Sequence, residues 1–217
     1  EKLLTAATLV FDPTSAAVQQ AISSGTPVNV QTSGGGTYNP YAAGAPLKIF
    51  ATGIRNAYDL VWHSNGHLYV PGNGTAGGAN SPGVTKNTNG TYTRVAAAGI
   101  PGYSSVNGQD VTAQCLRRGY TGGSVPAIGN QPTQRDLLLD VVEGGYYGHP
   151  NPERCEWVLN EGNDPSNPPI AAGQGGSKYP SGTKPDPNYR GFAYDFGFNK
   201  SPNGSIEYRS STFGGQL

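Results

Sequence analysis

The sequence predicts an all-β fold of short strands joined by long, ordered loops. Three observations lead there. The 217 residues include 33 Gly and 18 Pro, which cost roughly 1 and 3 kcal/mol respectively in a helix interior, so long helices are excluded. Aromatic residues make up 10% of the chain, with 13 Tyr and 6 Phe, side chains that suit a pleated, half-buried surface. The apolar runs are short and bounded by turn formers. The length is enough for one domain with a real core.

Leu3 to Phe11 (LLTAATLVF) reads as a buried strand, stopped by Asp12-Pro13. Ala16 to Ser23 reads as one short helix ended by Gly25-Thr26-Pro27, and Thr32 to Pro46 as loop. Leu47 to Ala51 (LKIFA) is the next predicted strand. Tyr58 to Trp62 (YDLVW) and His67 to Val70 (HLYV) form a hairpin about the Asn65-Gly66 turn signal. Residues 81–134 carry little periodicity and read as a loop-rich insertion, with Thr91 to Val95 as a minor strand. Asp136 to Val142 (DLLLDVV) is a strong strand signal, followed by an aromatic turn at Gly144 to Pro150. Asn160 to Pro187 is a second long polar loop. Phe192 to Phe196 (FAYDF) and Ser205 to Arg209 (SIEYR) are predicted strands flanking a Ser201-Pro202-Asn203-Gly204 turn. Short strands, hairpins and long loops suit a propeller or a related β-architecture.

Acidic and basic residues number 14 each, so the formal net charge is zero. There is no basic footprint for nucleic acid and no polybasic run for anionic lipid. The balance favours a neutral small molecule or another protein as partner. No stretch approaches the ~20 apolar residues that span a bilayer. The sequence begins at Glu1 without Met or a signal peptide, and ends at Leu217 without a closing strand. Both ends are therefore expected to be cut from something longer.

Cys115 and Cys155 are the two cysteines. An even count in a weakly charged chain rich in Asn, Thr and Gly points to an oxidised pair, and so to a secreted or periplasmic protein. Two buried free thiols are the alternative. A bridge would contribute roughly 4 kcal/mol in the chain-entropy treatment. Asn-x-Ser/Thr sequons stand at Asn73, Asn89 and Asn203; glycosylation and chance in an Asn-rich sequence explain them equally well.

Three blocks carry a family resemblance. Gly53-Ile54-Arg55-Asn56-Ala57-Tyr58-Asp59-Leu60 precedes Asn65-Gly66-His67-Leu68-Tyr69. Asp140 to Pro152 reads DVVEGGYYGHPNP, and Ser201 to Gly215 reads SPNGSIEYRSSTFGG. In order and approximate spacing these resemble the glucose/sorbosone dehydrogenase family of soluble sugar dehydrogenases that use pyrroloquinoline quinone (PQQ). The resemblance implies a six-bladed β-propeller of which residues 1–217 form a central part, roughly half of the ring. It implies PQQ and Ca²⁺ at one end of the channel, a sugar substrate, an external electron acceptor, and the remainder of the propeller as partner. By the same resemblance Arg55 and Asn56 contact the polar edge of the cofactor, and the main-chain carbonyls of Gly74 and Thr75 lie near Ca²⁺. The family has Gly-Pro at that pair, and here Thr75 replaces the Pro. An Arg fork suits a carboxylate or quinone oxygen, Asn offers both donor and acceptor, and calcium accepts backbone carbonyls. The family's catalytic histidine and later Lys and Arg positions fall outside this chain, so no base is assigned.

Other readings stand beside these. Pairing of Arg55 with Asp59 and turn capping by Asn56 are the alternative roles of that pair. His63 and His67 flank a turn without a ligand cluster, and His149 reads as an ordered turn residue. Tyr146 and Tyr147 suit core packing more than a sugar site. Asp59, Asp136, Asp140 and Glu143 show no spacing typical of a glycosidase acid pair. The Gly34-Gly35-Gly36 and Gly77-Gly78 runs match no nucleotide-binding pattern. A non-catalytic extracellular propeller for carbohydrate binding or protein interaction is the alternative function.

Overall fold

A computed structural model describes residues 3–32, 35–95, 110–115, 120–164 and 178–212. Parts of the expected insertion (96–109 and 116–119), of the second long loop (165–177), residue 34 of the first Gly run and the end of the third block (213–217) lie outside the described residues. The described chain is all-β, with a single α-helix.

Strand β1 (Ala7–Phe11) pairs antiparallel with β2 (Leu47–Thr52), and a register shift after Thr8 makes Phe50 the extra residue. Only the second half of the predicted first strand forms, because residues 3–6 turn instead. Between β1 and β2 lies α1 (Ala16–Ser24), ended by Gly25 in the left-handed conformation at φ 68, a backbone state glycine adopts at little cost.

The main sheet has four antiparallel strands in sequence order: β3 (Val61–Trp62), β4 (Leu68–Gly72), β9 (Asp136–Val141) and β10 (Tyr194–Gly197). Leu68 stands opposite Val141, Val70 opposite Leu139 and Gly72 opposite Leu137. Alternate residues of the two central strands therefore stack on one face. That face forms a core with Ala51, Ile54, Tyr147 and Phe192. The predicted strand 58–62 shrinks to two residues. Its ladder to β4 pairs Val61 with Tyr69, then breaks, and returns as a lone Ala57–Gly72 bridge. Pro71, which has no N–H to give to a ladder, sits at that break.

Between β4 and β9 the chain makes the excursion expected to be loop-rich. It holds β5 (Ala79–Ser81), β6 (Gly83–Lys86), β7 (Tyr92–Val95), a 3₁₀ turn at Val111–Gln114 and β8 (Ile128–Gln131). β5 pairs with β8, and β6 with β7. A second core lies here, where Val84, Tyr92, Val111 and Val125 pack with Trp157 and Tyr179. Cys115 and Cys155 are joined, with Cα atoms 5.7 Å apart, and tie the excursion to the later loop. Beside the bridge, Arg154 and Glu156 are fully buried and paired at 2.9 Å. The Arg154 guanidinium also donates to the carbonyls of Leu3 (2.6 Å) and Thr5 (2.8 Å), fixing the segment that leads into β1.

The predicted strand at Ser205 to Arg209 does not form. Its donors and side chains go to carboxylates instead of a sheet edge. Ser205 N–H donates to Asp59 at 2.9 Å, and the Glu207 carboxylate accepts from Ser64 N–H at 3.1 Å and from the Ser64 hydroxyl. Arg209 pairs with Glu207 at 2.7 Å. Among the described residues the sheets close into neither a barrel nor a ring, and no helix is long and apolar enough to cross a membrane.

Candidate functional site

A cavity of ≈ 40 Å³ with mixed polar and apolar walls opens where β4 leaves the main sheet and β9 enters it. Arg55, Asn73, Gly74, Thr75, Gln134 and His149 are among its lining residues. Several local features bring them together. Gly53 takes φ 77, and a Cβ there would lie 2.7 Å from the Gly148 nitrogen and the Tyr146 ring. This close approach lets Gly53 O accept from His149 N–H at 2.9 Å. Ile54 is buried in the sheet core, and Arg55 lines the cavity. Its Nη1 donates to Gly74 O at 2.7 Å. Gly74 in turn lies so close to the returning chain that a Cβ would stand 2.5 Å from Arg135 O. Thr75 O accepts from Gln134 N–H at 2.8 Å, and the Gln134 side chain accepts from Asn160 at 3.0 Å.

The electrostatics are one-sided. Two guanidiniums, Arg55 and Arg135, line the cavity, and among the described residues no carboxylate does. Arg135 is paired with Asp195 at 2.5 Å and lies 4.9 Å from the Phe198 ring. Burial first, then the charges of Arg55 and Arg154, lower the His149 pKa from 6.5 to about 4, so its imidazole is neutral at neutral pH. His149 Nδ1 and Asn73 Oδ1 are both buried and, among the described residues, have no hydrogen-bond partner. Such a notch suits an anionic or carbonyl oxygen beside the guanidinium, or a few ordered waters.

The predicted site residues separate. Arg55, Gly74 and Thr75 share this cavity. Asn56 takes φ 43 and is exposed, and it lines a different groove of ≈ 460 Å³ with Ala6–Leu9 and Ala57–Leu60. His149, read as a turn residue, is a wall of the cavity; Tyr147 is buried and also lines it, while Tyr146 is buried as a packing residue. His63 and His67 stay at the hairpin, 3.5 Å from Glu207 and 2.8 Å from Asp140. The sequon Asn73 lies in the cavity wall, whereas Asn89 and Asn203 are exposed. Sequence reasoning missed Gln134 and Asn160. Their roles depend on a chain return from far along the sequence, which leaves no local signal.

The fold and the cavity define an all-β protein with a guanidinium-lined notch at the end of a four-stranded antiparallel meander. Comparison of the chain with family models, with curated proteins and with solved structures gave no match.

Arg55 has five N–H donors, one of them used on Gly74. Its charge, with no opposing carboxylate in the wall, fits an anionic edge of PQQ. The cavity's size admits such an edge and not a ring system. Calcium takes six to eight oxygens. The Gly74 and Thr75 carbonyls each accept one N–H donor and keep a second lone pair, and the Arg55 cation bound to Gly74 O opposes a divalent ion there. Asn73 Oδ1 is the remaining orphan oxygen of that loop, and among the described residues no cluster of three or more His, Cys, Asp or Glu could hold a metal.

Proposed function

We propose that this chain is part of a PQQ-dependent sugar dehydrogenase of the propeller type, with Arg55 holding an anionic edge of the quinone. One observation carries the reading: separate blocks of the resemblance converge. Arg55 of the first block and Tyr147 and His149 of the second line one cavity. The in-order four-stranded meander has the form of a propeller blade, and the disulfide suits a secreted or periplasmic site. The bound quinone would supply a hydride acceptor for the sugar, and an external acceptor would reoxidise it. The chain's own contribution is binding and orientation. Arg55 neutralises negative charge on the ligand edge, neutral His149 presents an imidazole nitrogen without adding a second charge, and Asn56 offers an amide to a part of the ligand beyond the cavity.

In the full-length protein, Arg55→Ala is expected to weaken PQQ binding by about tenfold or more, measured by spectroscopic titration. Unchanged PQQ affinity and unchanged sugar-dependent dye reduction would sink the assignment. A second reading, a non-catalytic carbohydrate-binding or protein-interaction module, is favoured by the engagement of the Gly74 and Thr75 carbonyls. Sugar binding by calorimetry in a protein that takes up no quinone would decide for it.

A further inference from the structure

We propose that Asp136 is a positioning residue for Arg55, acting through the Gly74 peptide, and that it makes the cavity's cationic group depend on the seating of the segment that follows β10. Asp136 opens β9 and is 5% exposed. It is not among the cavity's lining residues. One carboxylate oxygen accepts from Gly74 N–H at 2.8 Å. The other accepts from Lys200 N–H at 2.6 Å and Ser201 N–H at 2.8 Å. On the far side of the same residue, Gly74 O accepts from Arg55 Nη1 at 2.7 Å.

The consequence follows from the geometry. Gly74 is clasped by a carboxylate at its nitrogen and by a guanidinium at its oxygen. Charge-assisted hydrogen bonds are short and directional, so the carboxylate holds the loop and the loop holds the guanidinium. The two bonds fall on successive peptide groups, so their coupling is mechanical, through the fixed backbone of Gly74. Close contact with the backbone of Gln134 and Arg135 leaves Gly74 no room to shift toward them. The same carboxylate gathers two consecutive N–H groups of the 200–201 turn, where Ser201 takes φ 47. If that turn leaves, one oxygen of a buried carboxylate loses both protein donors, an arrangement that buried charges do not tolerate without rearrangement. Seating of the turn and placement of Arg55 are thereby linked through one side chain.

The test uses Asp136→Asn, close in shape but without the charge. The first readout needs no ligand: solvent exchange of the Arg55 side-chain N–H groups, followed by NMR. About tenfold faster exchange is expected in the variant, the scale of losing one charge-assisted bond, measured at a temperature where both proteins are fully folded. Exchange at the wild-type rate would overturn the proposal. The second readout rests on the proposed function and uses PQQ as probe. Asp136→Asn is expected to lower affinity about tenfold in the wild-type background and to have little effect beside Arg55→Ala, since residues acting through one another are non-additive. Equal effects in both backgrounds would overturn the proposal. If wild-type protein binds no PQQ, the dehydrogenase reading falls while the exchange measurement still decides the role of Asp136. Should Asp136→Asn fail to fold, Asp136→Glu, which keeps the charge but displaces the carboxylate by one methylene, takes its place; faster exchange of the Arg55 side-chain N–H groups is expected, and exchange at the wild-type rate would overturn the proposal.

Discussion

The core under the main sheet takes Leu68, Val70, Leu137, Leu139 and Val141 from two paired strands, at every second residue. The other core collects Val84, Val111, Val125, Trp157 and Tyr179 from separated segments. The first is held by a backbone ladder whose register places each side chain. The second has short two-stranded pairs, a 3₁₀ turn and one covalent bridge. Where regular structure is scarce, ordering entropy is offset less by ladder hydrogen bonds and more by large aromatic contacts and cross-links. Trp157 and Tyr120 rings meet at 6.5 Å, and Tyr120 and Tyr92 at 5.3 Å.

Removing the bridge with a Cys115→Ser/Cys155→Ser variant should divide the two regions most clearly. The expected loss is roughly 4 kcal/mol, concentrated in the excursion. Near-ultraviolet circular dichroism from the Trp157 cluster should melt well below the far-ultraviolet strand signal. A single coincident transition at the wild-type temperature would mean that the aromatic core stands without its staple. Leu139→Ala tests the other region. Truncation in the centre of the sheet core is expected to cost about 3 kcal/mol, lowering the strand transition while leaving protease resistance of the excursion intact. The last effect, confined to acid pH, concerns His149, which joins the regions through the cavity. Its folded pKa of about 4 lies below its ordinary 6.5, so the unfolded chain takes up the proton first. Stability conferred by the neutral imidazole is complete above pH 6.5, declines as pH falls, and levels off below about 4, for a total on the order of 3 kcal/mol. His149→Gln should flatten that part of the stability profile; an unchanged slope would assign it to other groups.

The sequence made the first region legible and the second largely not, for reasons visible in particular residues. DLLLDVV and HLYV have the alternation or apolar density of central strands, and both lie in the main sheet. The Asn65-Gly66 signal gave the hairpin, and the helix at 16–23 lies within α1. By contrast β5 and β8 pair ANS with IGNQ, polar segments whose partner is far along the chain. SIEYR alternates like a strand, yet carboxylates of Asp59 and Glu207 take up its contacts. In the cavity, Arg55, Gly74 and Thr75 were singled out from the sequence and lie together, while Asn56 does not. Asp136, Gln134 and Asn160 were not legible, because their bonds cross the excursion and no spacing rule reaches that far.

The excursion also has a narrow neck. Gly72 faces Leu137 in the ladder, and just beyond, Gln134 N–H meets Thr75 O. Outgoing and incoming strands are thus zipped together before the chain wanders off. Such a neck fixes where the excursion leaves and rejoins the sheet, and closure entropy, which rises only with the logarithm of length, hardly limits what lies between. What limits it is packing: the excursion supplies Val84, Tyr92, Val111 and Val125 to the Trp157 core and Cys115 to the bridge. Length can therefore vary in its turns, while the residues that cover Trp157 cannot be dispensed with.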